Sequence, residues 1–211
     1  MKNFPFNIDK HQAEWIFAPI RTRKDAIVVL MKTLKILMLD NSLPDELVAG
    51  RIVLQVSKMS RIFFISDSKV FSLAFPFFVT ETEDGLSFKS HGHSNVNHKV
   101  SSDILSLLEA PDLFNSSSVY NFAEPVDDLC LMDGEIWSLF RELLMMEEGY
   151  IRYDHDPLHV KDHYHPLNHF DVFFSSNVTF KLGLHEKIEH KFMVDMLDSN
   201  TPCHYVVPVG K

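Results

Sequence analysis

Gly149 to Gly183 reads GYIRYDHDPLHVKDHYHPLNHFDVFFSSNVTFKLG. Three runs within it carry the alternation of a half-buried strand: about Tyr150 to His155, His169 to Ser175 and Val178 to Leu184. Ser176 and Asn177 supply a tight turn between the last two. Successive side chains on a strand point to opposite faces, so Tyr150, Arg152 and Asp154 share a face of the first run. On the second, His169, Asp171 and Phe173 oppose Phe170, Val172 and Phe174. On the third, Thr179 and Lys181 oppose Phe180 and Leu182. Antiparallel pairing then makes one sheet face an aromatic core and gathers Arg152, Asp154, His169, Asp171 and Lys181 on the other.

The same stretch holds five of the chain's twelve histidines, at 155, 159, 163, 165 and 169, and the aspartates Asp154, Asp156, Asp162 and Asp171. The 155/159/163 spacing imitates a helical metal motif, but Pro157 and Pro166 forbid that helix and no Glu sits at the required place. Residues 156 to 168 are therefore expected as a loop over the meander. A loop bearing His155, His159, His163 and His165 above a sheet carrying His169 and Asp171 suits Zn²⁺ or Mn²⁺. The candidate ligands are His155, His159, His165 and His169. Without a metal, His169 between Asp154 and Asp171 suits a general acid or base, with Arg152 and Lys181 steadying a phosphate. The alternative is a buried ion-pair network, Arg152 with Asp154 or Asp171, that braces the sheet.

Outward from this stretch, Asp133 opens a helix with Ile136, Leu139, Phe140, Leu143 and Leu144 as its buried stripe and Gly149 as its stop. His185 to Leu197 reads as an amphipathic helix with Ile188, Phe192 and Met196 inward, and the tail from Pro202 as a final edge strand. Upstream, Arg61 to Val79 reads as a β-hairpin through SDSK, with Pro76 ending its second strand or placing it at an edge. Leu86 to Lys89 is a short third strand. Residues 90 to 100, with His91, His93 and His98, read as a polar loop with nothing nearby to fix those rings. Ser101 or Ser102 caps a helix ending before Pro111, and 111 to 132 look irregular, with the NSSS run as a linker. Asp25 to Leu39 is a helix apolar over most of its circumference. A second segment follows a cap at Asn41 or Ser42, with Pro44 near its first position. It reads as a helix through Met59, with Gly50 and its β-branched residues leaving a strand open.

The totals narrow the class. A chain of 211 residues suits one α+β domain: a helical part over 1 to 60, a β-hairpin region over 61 to 100, a helical part over 101 to 148, and the His/Asp-rich meander with its helix over 149 to 211. The expected sheet is mainly antiparallel, with N-terminal helices and helices packed on one face. Eighteen phenylalanines imply an aromatic-rich core or a buried partner surface. Residues 1 to 100 carry 13 Lys/Arg against 10 Asp/Glu and residues 101 to 211 carry 7 against 19, so +3 and −12 make the net −9. That acidic half disfavours wrapping of nucleic acid. Arg21, Arg23 and Lys24 form the compact basic cluster, a candidate contact for nucleic acid or an acidic partner, or simply a solvated helix start. Two cysteines without a CxxC pair, no signal-peptide h-region and no apolar run long enough for a bilayer fit a cytoplasmic protein. P-loop, GxGxxG and GxSxG patterns are absent.

Arg152-Tyr153-Asp154, Asp156-Pro157, His165-Pro166-Leu167-Asn168-His169, Phe170-Asp171 and Ser175-Ser176 together resemble an uncharacterised bacterial domain family. Its members occur as stand-alone proteins of about this length in anti-phage defence neighbourhoods. The resemblance is carried by residues 149 to 184 and implies a bacterial cytoplasm and a protein partner, or a homo-oligomer. Two functions follow as expectations. One is an accessory or interaction subunit of a bacterial defence complex. The other is a metal- or His/Asp-dependent hydrolase, a phosphodiesterase or nuclease, working from the polar meander face.

Overall fold

The computed structural model describes residues 2–39, 43–58, 60–83, 85–110, 113, 119–161, 164–175 and 178–205. Its main feature is a seven-stranded sheet, antiparallel throughout. In chain order the strands are β1 (Lys2–Ile8), β2 (Gly50–Val56), β3 (Arg61–Ile65), β4 (Lys69–Ala74), β7 (Ile151–His155), β8 (Asn168–Ser175) and β9 (Val178–Leu184). That is also their spatial order. The remaining strands, β5 (Phe78–Thr82) and β6 (Gly85–Lys89), pair with each other in a separate two-stranded sheet. The helices are α1 (Lys10–Ile16), α2 (Arg23–Leu37), α3 (His98–Glu109), α4 (Val119–Cys130), α5 (Ile136–Met145) and α6 (His190–Met196). The class is α+β with a mainly antiparallel sheet and N-terminal helices, as the sequence implies.

The first sixty residues are not simply helical. They hold β1 and β2 beside α1 and α2. Pro5 is tolerated in β1 because that strand is an edge, paired only with β2. The second helix read from Pro44 shrinks to one 3₁₀ turn, Asp45–Leu47, before β2 begins. A Cβ on Gly50 would lie 2.7 Å from the Ile65 carbonyl oxygen, so the close pairing of β2 with β3 needs the glycine there. Asn41, Ser42 and Met59 lie outside the described residues. Helix α2 starts in a capping box, Thr22 Oγ accepting from Asp25 N–H and the Asp25 carboxylate from Thr22 N–H.

Between the halves, the expected hairpin is β3–β4. Its second strand stops before Pro76, yet β4 is interior because β7 pairs with its other side. Asn97, not Ser101 or Ser102, caps α3; Ser101 Oγ instead donates to the Met31 carbonyl at 2.6 Å inside the core. Val119–Cys130 is a helix despite Pro125, where an irregular segment was expected. The NSSS run lies outside the described residues.

The two faces of the sheet carry different cores. Ile52, Leu54, Phe64, Phe71 and Leu73 face the large core with α2, α3 and α5. Removing that apolar surface from water drives the packing, at about 25 cal/mol per Å². Phe63, Val70, Tyr153 and Phe170 face the other way and are covered by α6 through Met193, so helices lie on both faces rather than one. Helix α6 is shorter than the sequence suggests and starts at His190. The 202–205 tail carries no strand, and 206–211 fall outside the described residues. Among the described residues no helix is long and apolar enough to cross a membrane.

Candidate functional site

Two cross-strand rows make the site. Lys69, Asp154, His169 and Gly183 stand opposite one another across β4, β7, β8 and β9; Phe71, Arg152, Asp171 and Lys181 form the next row. Both rows lie on the sheet face whose other members pack in the large core. Polar side chains replace the aromatic ones, and Tyr150 and Phe173, ring centroids 4.4 Å apart, border them. The expected alternation places all five polar residues together. The Ser176–Asn177 turn lies outside the described residues.

The cluster is buried. His169 is 0 % exposed, Asp171 5 % and Asp154 7 %. Arg152 Nε donates to Asp154 Oδ2 at 2.9 Å, and its Nη2 bridges Asp154 Oδ2 and Asp171 Oδ2. Lys181 Nζ donates to Asp171 Oδ1 at 2.6 Å and to His169 Nε2 at 2.8 Å. His169 Nδ1 meets the Pro166 carbonyl oxygen at 2.8 Å, which fixes the tautomer: Nδ1–H donates to the carbonyl and Nε2 carries the lone pair. Nε2 lies 3.8 Å from both Asp154 Oδ2 and Asp171 Oδ1. Burial lowers the His169 pKa below its ordinary value and the Lys181 ammonium adds to this, so the ring is neutral at neutral pH. Two cations and two carboxylates balance around it. With Nε2 held by Lys181, His169 is closed to solvent in this arrangement, where the sequence reading has it as a general acid or base.

Beside the cluster opens a cleft of about 760 Å³, walled by Pro19, Ile20, Pro157, Leu158 and Phe173 and by the charged residues Arg21, Lys69, Arg152, Asp154, Asp156 and Asp171. His155 and His159 also line it. His155 and His159 are held there by partners other than His169. His155 Nδ1 meets Asn168 Oδ1 at 2.8 Å. His159 Nδ1 lies 3.0 Å from both oxygens of Asp156, with its side chain 71 % exposed. His165 packs its ring 4.6 Å from that of His169, with Nε2 4.0 Å from Asp156. Of the expected ligands His155, His159, His165 and His169, only His169 enters a metal-ligating group among the described residues, and its companions are Asp154 and Asp171. Asn168 and Asp156 turn two of the other rings aside. His163 and Asp162 lie outside the described residues.

Sequence reasoning missed three features. Lys69 stands beside Asp154 through the β4–β7 pairing, which joins segments about eighty residues apart and leaves no local trace. Asp156 accepts from the backbone N–H groups of Leu158 and His159 at 3.2 Å and orients the His159 ring. Hydrogen bonds from His159 and those amides outweigh burial and lower its pKa. An Asp-Pro turn with His three residues on was the legible signal for that pair. The third is His93, which the sequence leaves in a loose loop. It is buried; Nδ1 accepts from Asn95 N–H at 3.2 Å, so Nε2–H donates to Asp133 Oδ2 at 2.9 Å. Ser94 N–H and Oγ bind Glu135, so acidic groups forty residues away anchor the loop to the start of α5. Within the basic cluster, Arg21 lines the cleft, Arg23 Nε is paired with Glu148 at 2.6 Å, and Lys24 is exposed. The chain matches no known family profile, no curated protein and no solved structure.

Proposed function

We propose that the cleft binds and hydrolyses a phosphodiester. The observation that carries this reading is the meeting, in one cleft, of three cations with an Asp–His pair: Arg21, Lys69 and Arg152 with Asp156 and His159. Guanidinium and ammonium groups suit a phosphate, Arg by its fork and Lys as a point charge. His159 turns Nδ1 to the carboxylate, which leaves Nε2 to take a proton from an attacking water, the division of labour of a base held by its orienting acid. Phe173 and Pro157 offer apolar walls for a base or sugar. The volume falls within the about 300–1,000 Å³ usual for small-ligand sites. The cluster behind it is weak evidence for a bracing role alone, because buried ion pairs replaced by apolar residues leave many proteins no less stable.

The test is an assay of the full chain against single-stranded oligonucleotides, cyclic dinucleotides and bis(4-nitrophenyl) phosphate. His159→Ala is expected to lower turnover by about 10²–10⁴-fold, as loss of a general base does. Arg152→Met is expected to lower it by about 10²–10³-fold, as loss of a charge-stabilising donor does. Absence of turnover across the panel, or turnover untouched by either change, overturns the reading.

A second reading, an interaction subunit of a bacterial defence assembly, draws on the resemblance at 149–184 and on exposed apolar side chains. Helix α2 does not serve it, since its apolar residues fill the protein's own core. Tyr120 of α4, Leu131 and Met132 of the following turn, and Trp137 and Met145 of α5 are exposed instead. A complex that forms with Arg152→Met but not with Leu131→Asp/Met132→Asp supports it; indifference to both refutes it.

A further inference from the structure

We infer that Asp154, His169 and Asp171 form the seat of a divalent transition cation, Mn²⁺ or Zn²⁺, which exchanges with the Lys181 ammonium. The three side chains each offer a ligand atom within 4.8 Å of the others. Two metal–ligand bonds of about 2.1 Å at a tetrahedral angle set their donor atoms about 3.4 Å apart, and wider angles up to about 4.2 Å. The 3.8 Å from His169 Nε2 to each carboxylate falls inside that span. Two carboxylates and one imidazole are a hard-to-borderline donor set, suited to Mn²⁺ and Zn²⁺ rather than to a thiophilic ion.

Two further observations point to a ligand. Asp154 Oδ1 is buried and has no hydrogen-bond partner among the described residues, although its sister oxygen is held by Arg152. A buried carboxylate oxygen left bare costs about 1–3 kcal/mol or more, a cost that a cation or a hydrogen-bond donor at this carboxylate would relieve. His169 is also oriented as a metal-bound imidazole is, one ring N–H fixed by a backbone carbonyl and the lone pair of the other nitrogen turned to the Lys181 ammonium beside the carboxylates.

Lys181 already stands in for the ion. Its ammonium donates to two of the three would-be ligand atoms, at 2.6 and 2.8 Å. Its side chain is 30 % exposed, so it has a way out to water while Arg152 stays clamped between the aspartates. Exchange of a single positive charge for a double one turns a balanced cluster into one with net charge +1 beside the cleft. On the phosphodiester reading, on which this purpose but not the seat itself rests, that charge faces the anionic ligand.

The test is calorimetric titration of MnCl₂ and of ZnCl₂ into the chelator-stripped full chain, without substrate. Saturable one-site binding is expected. Lys181→Met is expected to tighten it by about tenfold or more, because the ion no longer waits for the ammonium to leave. Asp171→Asn is expected to abolish it, and His155→Ala to leave it unchanged. Should Asp171→Asn fail to fold, the Lys181→Met result still decides. No saturable binding to wild type or Lys181→Met at millimolar metal, weaker binding by Lys181→Met, or loss of binding in His155→Ala overturns the seat. Metal binding without turnover sinks the phosphodiester reading and leaves the seat. Turnover unchanged in chelator, with no binding, sinks the seat and leaves that reading.

Discussion

Asp171→Asn isolates the balance of the buried cluster. Asparagine has nearly the shape of aspartate, so the change opens no cavity and removes only charge. Asp171 receives Arg152 Nη2 on one oxygen and Lys181 Nζ, at 2.6 Å, on the other. Without it Arg152 keeps Asp154 and Lys181 keeps the neutral His169 Nε2, and the new amide offers an N–H to a neighbour that is itself a donor. Removing one partner of a buried ion pair costs about 3–5 kcal/mol. Lys181 can turn to water, which sets the expectation at the lower end, about 3 kcal/mol. At about 2–4 °C per kcal/mol for a chain of this length, the midpoint falls by about 6–12 °C. Lys181→Met removes a part-exposed cation and leaves Arg152 with both carboxylates but Asp171 Oδ1 without its donor, so its cost is about 1–3 kcal/mol. Urea unfolding in chelator, followed by the fluorescence of Trp15 and Trp137, measures both. The pair Arg152→Met/Asp171→Asn should cost less than the sum of its parts by about 1–3 kcal/mol. An Asp171→Asn cost below about 0.5 kcal/mol, the scale of an ordinary surface change, or a larger cost for Lys181→Met, refutes the claim that the network is desolvated and paired.

Gly149 sits at φ +53°, and a Cβ there would lie 3.1 Å from Arg61 Nη1; Gly149→Ala is expected to cost about 1–2 kcal/mol in the same urea experiment. Asn168 Oδ1 accepts from the buried Tyr153 hydroxyl at 3.0 Å and meets His155, so Asn168→Ala should destabilise by about 1–3 kcal/mol and free the His155 ring, seen as a shifted imidazole NMR signal. The hydrogen bond from His93, with the Glu135 amide, holds the Asp133 carboxyl below its usual pKa. The folded protein thus keeps this carboxylate charged where the unfolded chain protonates it. Its stabilisation is full above the unfolded value near about 4 and is lost as pH falls through the folded value. The stability gap between wild type and Asp133→Asn should therefore be present at neutral pH and close on acidification; a gap that widens in acid contradicts it. Leu30→Ala, in the buried face of α2, should cost about 2–5 kcal/mol, read as a lower urea midpoint at constant slope.

Local alternation made the meander legible. In an antiparallel ladder, facing residues share a sheet face, so parity alone fixed the company of Arg152, Asp154, His169, Asp171 and Lys181 once three strands were recognised. The β3–β4 hairpin was legible for the same reason, its two runs lying one short turn apart. The N-terminal half was less so. Val119–Cys130 is a helix although its proline argues against one, and β1 is a strand held by an edge pairing rather than by its own period. Packing decided those segments against weak local preference.

The chain by itself determined which side chains share the polar face, because that depends only on odd and even positions along three neighbouring strands. Tertiary structure alone decided what surrounds them. The β4–β7 pairing brings Lys69 to Asp154, the chain before α2 brings Arg21 to the cleft, and Asn168 and Asp156 hold His155 and His159 away from His169. Those contacts join residues whose separation along the sequence carries no periodic signal. They exist only because burial of the large core sets β1–β4 and α2 beside the meander, and the polar groups then pair with whatever that packing places within reach.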